Sequence, residues 1–119
     1  MEGFADHLGV RGEVAQDGHA RFEFGAQHHH LNPSGTVHGG VLATLVDTAM
    51  GLAARSRTED GEVPATSQLT IAYLTAATEG PMTVTAQVRK RGEHVLLCDA
   101  DVDQNGTTIV HAVATFALL

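Results

Sequence analysis

The stretch HGGVLATLVDTAMGLAAR, residues 38–55, decides how the chain is read. Between Val41 and Ala54 it holds one charged residue, Asp47, among Val41, Leu42, Leu45, Val46, Ala49, Met50, Leu52 and Ala53. On a helix predicted over 39–55 these apolar residues cover nearly the whole circumference, and a helix apolar all round is buried rather than laid on a surface. Ala43, Ala49, Gly51, Ala53 and Ala54 are small enough for neighbouring elements to come close. Arg55 and Arg57 suit the negative end of the helix dipole. A carboxylate in such a helix is costly unless it finds partners or stays protonated. Asp47 is therefore a candidate functional residue. The plainer alternative is an aspartate that faces a subunit seam or bonds nearby backbone.

The flanking sequence supplies the wrapping. A short helix is predicted over 4–8. Strands are predicted over 10–15 and 20–24, joined at the hairpin signal Asp17-Gly18. Asn32, Pro33, Ser34 and Gly35 mark a loop over 28–37, and a polar loop covers 58–64. Four strands follow at about 66–76, 82–91, 94–103 and 107–118, separated by Gly80-Pro81, Gly92 and Asn105-Gly106. Val84, Ala86 and Val88 alternate with Thr83, Thr85 and Gln87, and Val110, Ala112, Ala114 and Phe116 share one face. Long strands with short turns predict an antiparallel meander. One long helix with one bent sheet makes an α+β fold in which the sheet wraps the helix. The 119 residues are read as a single domain, 1–119.

Composition narrows the function classes. Hydrophobic residues make up 43% and charged residues 18%, an ordinary globular balance. No apolar run reaches the ~18 residues of a membrane span. The N-terminal segment has no basic start followed by an apolar run, so no secretory signal is expected. The single cysteine, Cys98, excludes an intrachain disulfide and fits a reducing, cytoplasmic setting. A net charge of −7 argues against a nucleic-acid surface, while a local basic patch can still hold a phosphate.

Gly39 and Gly40 open the helix, where backbone N–H groups lack partners and the dipole is positive. Without side chains they let a substrate oxygen approach those N–H groups, an arrangement that polarises a carbonyl or holds an oxyanion. The plainer reading of the pair is a tight loop-to-helix turn. Asp47 lies eight residues after Gly39, roughly 12 Å along the axis. That is too far for both to act on one carbonyl from one helix, since reacting atoms must lie about 3 Å apart. If they act together, Asp47 meets the Gly39 of a second copy. Antiparallel helices across a two-fold axis give two equivalent sites per dimer.

The segment Asn32-Pro-Ser-Gly-Thr-Val-His38-Gly39-Gly40, followed by Leu45-Val-Asp47-Thr-Ala49, resembles the signature of hotdog-fold acyl-CoA thioesterases of the phenylacetate-pathway (PaaI) type. The resemblance covers nearly the whole chain, including Phe4-Ala-Asp-His-Leu-Gly9, the Asp17-Gly18 turn, Ile71-Ala-Tyr73-Leu and Arg89-Lys-Arg-Gly92. It implies a long central helix wrapped by a curved antiparallel sheet. It implies hydrolysis of an acyl-CoA, with coenzyme A as part of the substrate and no other cofactor. It further implies a homo-oligomer, with a dimer as minimal active unit and a tetramer as a pair of dimers. Asp47 matches the catalytic carboxylate, nucleophile or general base, and Gly39 the backbone N–H on the thioester carbonyl. Gly40 adjoins it at the substrate. Asn32 matches a polar group near the thioester or the attacking water, and His38 the motif histidine that shapes the loop. Thr66 falls where relatives carry an assisting hydroxyl, with Ser67 as the alternative. Relatives with glutamate carry a threonine one turn later; Gly51 stands there, which favours the aspartate branch. The implied acyl groups are aromatic, such as phenylacetyl or hydroxyphenylacetyl, with medium chains as the alternative.

For the phosphates of coenzyme A, Arg89, Lys90 and Arg91 are the first choice and Arg55 and Arg57 the second; exposed charges often do nothing specific. Two other readings of a hotdog chain are an acyl-CoA-sensing module that binds without hydrolysis and an enoyl-CoA hydratase. Retention of Asp47 argues against the first, and the lack of a matching histidine acid/base pair against the second. His28-His29-His30 point in different directions, and no ligand-spaced set follows, so no metal site is expected. His111 is read as a cross-strand or surface residue and Cys98 as a small core residue. Tyr73 is read as packing at the sheet or a subunit contact, with substrate contact as the alternative.

Overall fold

Period-two alternation sets the sheet. In β2 (His19–Ala26), Ala20, Phe22, Phe24 and Ala26 are buried while His19, Arg21, Glu23 and Gly25 face solvent. The computed structural model describes residues 3–119. Before β2 lie α1 (Phe4–Leu8) and β1 (Arg11–Gln16); after it come α2 (Gly39–Arg55), β3 (Pro64–Tyr73), β4 (Gly80–Arg91), β5 (Val95–Gln104) and β6 (Thr107–Leu118). One turn of 3₁₀ helix at His28–His30 breaks the loop before α2. β3 stops at Tyr73, short of the predicted end, because the next two N–H groups, of Leu74 and Thr75, both turn to the Ile109 carbonyl.

The six strands are ordered β1-β2-β4-β5-β6-β3, every neighbouring pair antiparallel. The predicted simple meander holds only for β4, β5 and β6. β3 precedes them in sequence but lies at the far edge, against β6. The reason is α2, which stands between β2 and β3 and packs against β2, β3, β4, β5 and β6. The chain crosses the concave face inside this helix and emerges on the opposite side of the sheet. β4 then returns to pair with β2.

Two hairpins close as the turn chemistry demands. Gln16 pairs with His19 around Asp17 (φ 51°) and Gly18 (φ 81°), and Gln104 with Thr107 around Asn105 (φ 53°) and Gly106 (φ 77°). Positive φ at both central residues is the type I′ condition. Gly18 is also held by its surroundings. Its N–H donates to Ser56 Oγ at 2.8 Å, and a Cβ there would sit 3.1 Å from Arg57 Cγ. Ser56 Oγ in turn donates to the Ala53 carbonyl at 2.7 Å, so the tip of the first hairpin is tied to the end of α2.

The helix is not buried all round. Leu42, Leu45, Val46, Ala49, Met50, Ala53 and Ala54 form the buried face, whereas Thr44, Asp47, Thr48 and Gly51 are half-buried and Arg55 is exposed. A sheet curved around one side of a helix leaves the other open, however apolar its sequence. The core is completed by Phe22, Met82, Val84, Leu96, Val102 and Val110. Each such side chain contributes about 1.5–3 kcal/mol on burial.

Leu45 is fully enclosed at 0% exposure. Leu45→Ala is expected to lower stability by about 2–5 kcal/mol, read as a lower denaturant midpoint with an unchanged m value. Cys98 is buried on β5, as the sequence suggested. Burial, then the neighbouring Asp99 charge, push its thiol up to about 11. Near pH 8 it therefore stays protonated, and iodoacetamide is expected to label it only after unfolding. The stability tied to the neutral thiol is fully present below the ordinary value of 9.0 and is lost as pH rises through about 11.

Candidate active site

The N-terminus of α2 is built by His38. As N-cap its carbonyl accepts from the Val41 and Leu42 N–H groups, and its ring Nδ1 accepts from the Gly40 N–H at 2.8 Å. Serine, threonine, aspartate and asparagine are the usual capping side chains; here an imidazole folds back to do the work. Gly40 makes room for it, since a Cβ there would lie 2.9 Å from Nδ1. The Gly40 N–H is therefore used inside the protein. The Gly39 N–H, by contrast, donates to no acceptor among the described residues. Of the two glycines, it is Gly39 that presents a donor outward.

The loop ahead of the cap is locked from within. Leu31 and Val37 form an isolated antiparallel bridge. Between them Asn32 Oδ1 accepts from the Ser34 N–H, the Ser34 hydroxyl and the Thr36 N–H, and its Nδ2 donates to Thr36 Oγ1 at 2.9 Å. The residue expected beside the thioester spends its polar atoms on closing the loop, with one Nδ2 hydrogen left over. Within the histidine run, His30 is structural. His30 is buried, accepting the Gln27 N–H at Nδ1 and facing the Leu8 carbonyl from Nε2 at 3.2 Å. Burial, then the adjacent His29, hold its pKa below the ordinary range. Its own carbonyl accepts the His38 N–H, so His30 pins α1, the loop and the cap together. Among the described residues, no group of His, Cys, Asp and Glu is placed to hold a metal.

Asp47 sits on the open face of α2 and accepts the Thr66 hydroxyl at 2.7 Å. The choice between Thr66 and Ser67 is made by a bulge in β3. Thr66 pairs with the buried Phe116 and Gln68 with Thr115, leaving Ser67 as the extra residue. Thr66 thus faces the helix, while Ser67 Oγ bonds the Thr115 carbonyl and hydroxyl at 3.2 and 2.8 Å. Asp47 and Thr66 border a cleft of about 610 Å³, whose walls include Gly51, Phe116, Glu13 and Arg55. A second cleft of about 260 Å³ adjoins Gly39, bordered by Leu42, Tyr73 and Leu74. Tyr73 donates its hydroxyl to the Gly39 carbonyl at 2.9 Å. One helix therefore carries the Thr66-bound carboxylate of Asp47 and the N–H of Gly39, unpaired among the described residues, separated by roughly two helical turns.

The basic cluster is mostly neutralised. Arg89 pairs with Asp99 at 2.7 Å, and Arg91 grips both oxygens of Glu62 at 2.7 and 2.9 Å. The Glu59 N–H first, with Arg91 adding to it, keeps the Glu62 carboxyl below its ordinary range. Lys90 has no ion pair among the described residues, and neither has Arg55, which borders the Asp47 cleft. Charge on its own flagged the strand-end cluster; the pairing of Arg89 depends on the register of β4 with β5, and that of Arg91 on the loop at Glu62, which is remote in sequence.

The profile of the thioesterase superfamily matches residues 34–111, a segment that holds the cap, Gly39, Asp47 and Thr66. The chain belongs to this superfamily. A conserved protein of Pseudomonas aeruginosa superposes with a TM-score of 0.93 at 29% identity, over 100% of this chain and 95% of that one. The PaaI protein of the E. coli phenylacetic acid degradation operon superposes with a TM-score of 0.88 at 28% identity, over 97% and 83%. Acyl-coenzyme A thioesterase 13 of Pongo abelii is 33% identical over 86 residues, 71% of this chain and 61% of that protein. The fold of this thioesterase is the hotdog fold, a long helix wrapped by a curved antiparallel sheet, and its class of activity is thioester hydrolysis. No helix among the described residues is long and apolar enough to cross a membrane.

His38→Ala removes the cap and is expected to cost about 1 kcal/mol, measured by chemical denaturation. Gly40→Ala forces the ring out of its place and is expected to cost a similar amount, with no further loss in the double variant.

Proposed function

We propose that this thioesterase hydrolyses acyl-CoA thioesters at sites shared between two copies of the chain. The observation that carries the proposal is the division of the machinery along α2. Asp47, held by Thr66, lies roughly 12 Å from the uncommitted Gly39 N–H. Each half needs its complement from elsewhere, and an antiparallel second α2 brings Gly39 of the partner subunit beside Asp47. The open face of the helix, with Thr44, Asp47 and Gly51 half-buried, is the surface such a copy would cover.

In this reading the partner's Gly39 donates its N–H to the thioester carbonyl oxygen. Charge builds on that oxygen in the transition state, where a donor at a helix N-terminus is worth most. The Thr66 hydroxyl bonds Oδ1 of Asp47 and orients the carboxylate. The other oxygen, Oδ2, either takes a proton from an attacking water or attacks the acyl carbon itself. On the water route, the C–O bond forms, the tetrahedral adduct collapses, and the C–S bond breaks to release coenzyme A thiolate, which takes up the proton. On the direct route, Oδ2 bonds the acyl carbon as the C–S bond breaks and coenzyme A leaves as thiolate; water then cleaves the mixed anhydride to the free acid and the Asp47 carboxylate, and its remaining proton goes to the thiolate. Arg55 borders the Asp47 cleft without an ion pair among the described residues and is the better placed cation for a phosphate of coenzyme A. The acyl group is aromatic or of medium length, a reading supported by similarity to the PaaI protein of the phenylacetic acid degradation operon. We further propose a cytoplasmic setting, where coenzyme A thioesters are made, and assembly of dimers into a tetramer.

The test is thiol release from a panel of aryl- and alkanoyl-CoA thioesters. Asp47→Asn is expected to lower kcat about 10²- to 10⁴-fold while keeping the wild-type melting temperature. Thr66→Val is expected to lower kcat about tenfold with a smaller change in KM, as for a contact made in the transition state. Equal kcat/KM in Asp47→Asn and wild type would overturn the proposal. Saturable binding of the thioesters without thiol release would replace it by the sensing reading.

A further inference from the structure

We infer that Tyr73 is a positioning and specificity residue of this site, holding Gly39 in place with its hydroxyl and walling the acyl pocket with its ring. The inference rests on the reading just given and starts from a mechanical need. Gly39 has no side chain by which to be anchored, and glycine is the residue least restrained by its own backbone. Its N–H must nevertheless keep one direction, because an oxyanion donor works only when pre-aimed. Beside the backbone bonds of His38, two side chains hold this segment: the His38 ring bonds the next N–H, of Gly40, and Tyr73 bonds the Gly39 carbonyl at 2.9 Å.

Tyr73 is well founded for that task. It is the last residue of β3 and pairs with Val110 of β6, whose side chain is fully buried. The following Leu74 N–H bonds the Ile109 carbonyl at 2.9 Å, so the backbone on both sides of the tyrosine is fixed to the sheet. Its ring lies 3.5 Å from where a Cβ of Gly39 would be. A hydrogen bond from the sheet edge thus ties the first turn of α2 to the paired strands β3 and β6.

The same ring has a second use. Tyr73 is 52% exposed and Leu74 59%, both large apolar bodies left uncovered beside Gly39. With Leu42 and Val37 they border the cleft of about 260 Å³ that Gly39 also borders. A thioester carbonyl bound at the Gly39 N–H has two substituents, and each must leave in a different direction. The pantetheine arm carries amides that need hydrogen-bond partners; the acyl group is apolar. The cleft beside Gly39, walled by Val37, Leu42, Tyr73 and Leu74 with Thr36 and Thr75 among its lining, is the side assigned to the acyl group. Its volume exceeds the ~150 Å³ of a cavity that accepts benzene, so a single ring with a short linker, or a chain of similar bulk, is accommodated.

The experiment compares wild type, Asp47→Asn, Tyr73→Phe and Tyr73→Ala on one panel of aryl- and alkanoyl-CoA thioesters of graded size, with melting temperatures alongside. Tyr73→Phe keeps the wall and loses the tether. It is expected to lower kcat about five- to tenfold on every thioester, with KM within about twofold. Tyr73→Ala also removes the wall. It is expected to raise KM for the compact acyl groups about tenfold and to move the preferred acyl group to a bulkier one. A merely structural tyrosine would lower the melting temperature without reordering the acyl groups. The inference is overturned if wild type releases thiol, Asp47→Asn does not, and both Tyr73 variants keep the wild-type kcat and acyl order. If wild type itself releases no thiol from any member of the panel, the proposed function fails, and this inference falls with it.

Discussion

The packing of one face of α2 into the concave side of the sheet is the constraint on which the rest depends. Leu45, Val46, Ala49 and Met50 have no exposed surface, and they fix the rotation of the helix about its own axis. Once that rotation is set, every other residue of the helix has its direction assigned at about 100° per step. Asp47 must then lie on the open side, beside the mouth of a cleft and within reach of β3. Ala49, Ala53 and Ala54 matter here for what they lack. Small residues let the strands close on the helix, and that closeness allows Thr66 to reach the carboxylate.

The helix also sets where its two polar features stand. Its N-terminus carries the one early N–H group that the cap does not use, and its middle carries the carboxylate. The Gly39 N–H and the Asp47 carboxylate on one rigid rod cannot meet, and rigidity makes the separation permanent. In the function proposed above, a two-fold pairing turns this into an advantage: one element type, used twice, would complete two sites. His38, Gly40 and Tyr73 then read as parts of one device, since each restrains the short piece of backbone on which the donor hangs. The charges around the rim are divided similarly. Arg89 and Arg91 are occupied by Asp99 and Glu62 in holding the sheet and its loops together, while Arg55, Arg57 and Lys90 have no ion pair among the described residues.

Much of the fold was legible in the residues. The long helix begins and ends at the expected residues, 39 and 55, because His38, Gly39 and Gly40 form a break in pattern at one end and the apolar period stops at the other. The hairpins at Asp17-Gly18 and Asn105-Gly106 follow from local φ preferences alone. Burial of Phe22, Phe24 and Cys98 follows from alternation. What alternation cannot contain is the neighbour of a strand, and so β3 was expected in a simple meander when it lies at the far edge beside β6. Nor does composition reveal which side of an apolar helix stays open, because the seven buried residues and many of the less buried ones draw on the same alphabet.

By itself the sequence determined the element types, the turn positions, the anomaly of Asp47 in an apolar helix, and the pairing of that anomaly with a glycine-marked helix start. These are local properties, set by backbone preference and by periodicity within one segment. Only the tertiary structure decided that Thr66 rather than Ser67 meets Asp47, that Asn32 closes its own loop, that Gly40 serves the cap while Gly39 does not, and that Tyr73 holds the Gly39 carbonyl. Each of these depends on a bulge, a ring rotation or a contact between residues as many as 34 positions apart. A single inserted residue in a strand reverses the face of everything beyond it. Such long-range register is a property of the packed chain, set where the sheet closes on the helix.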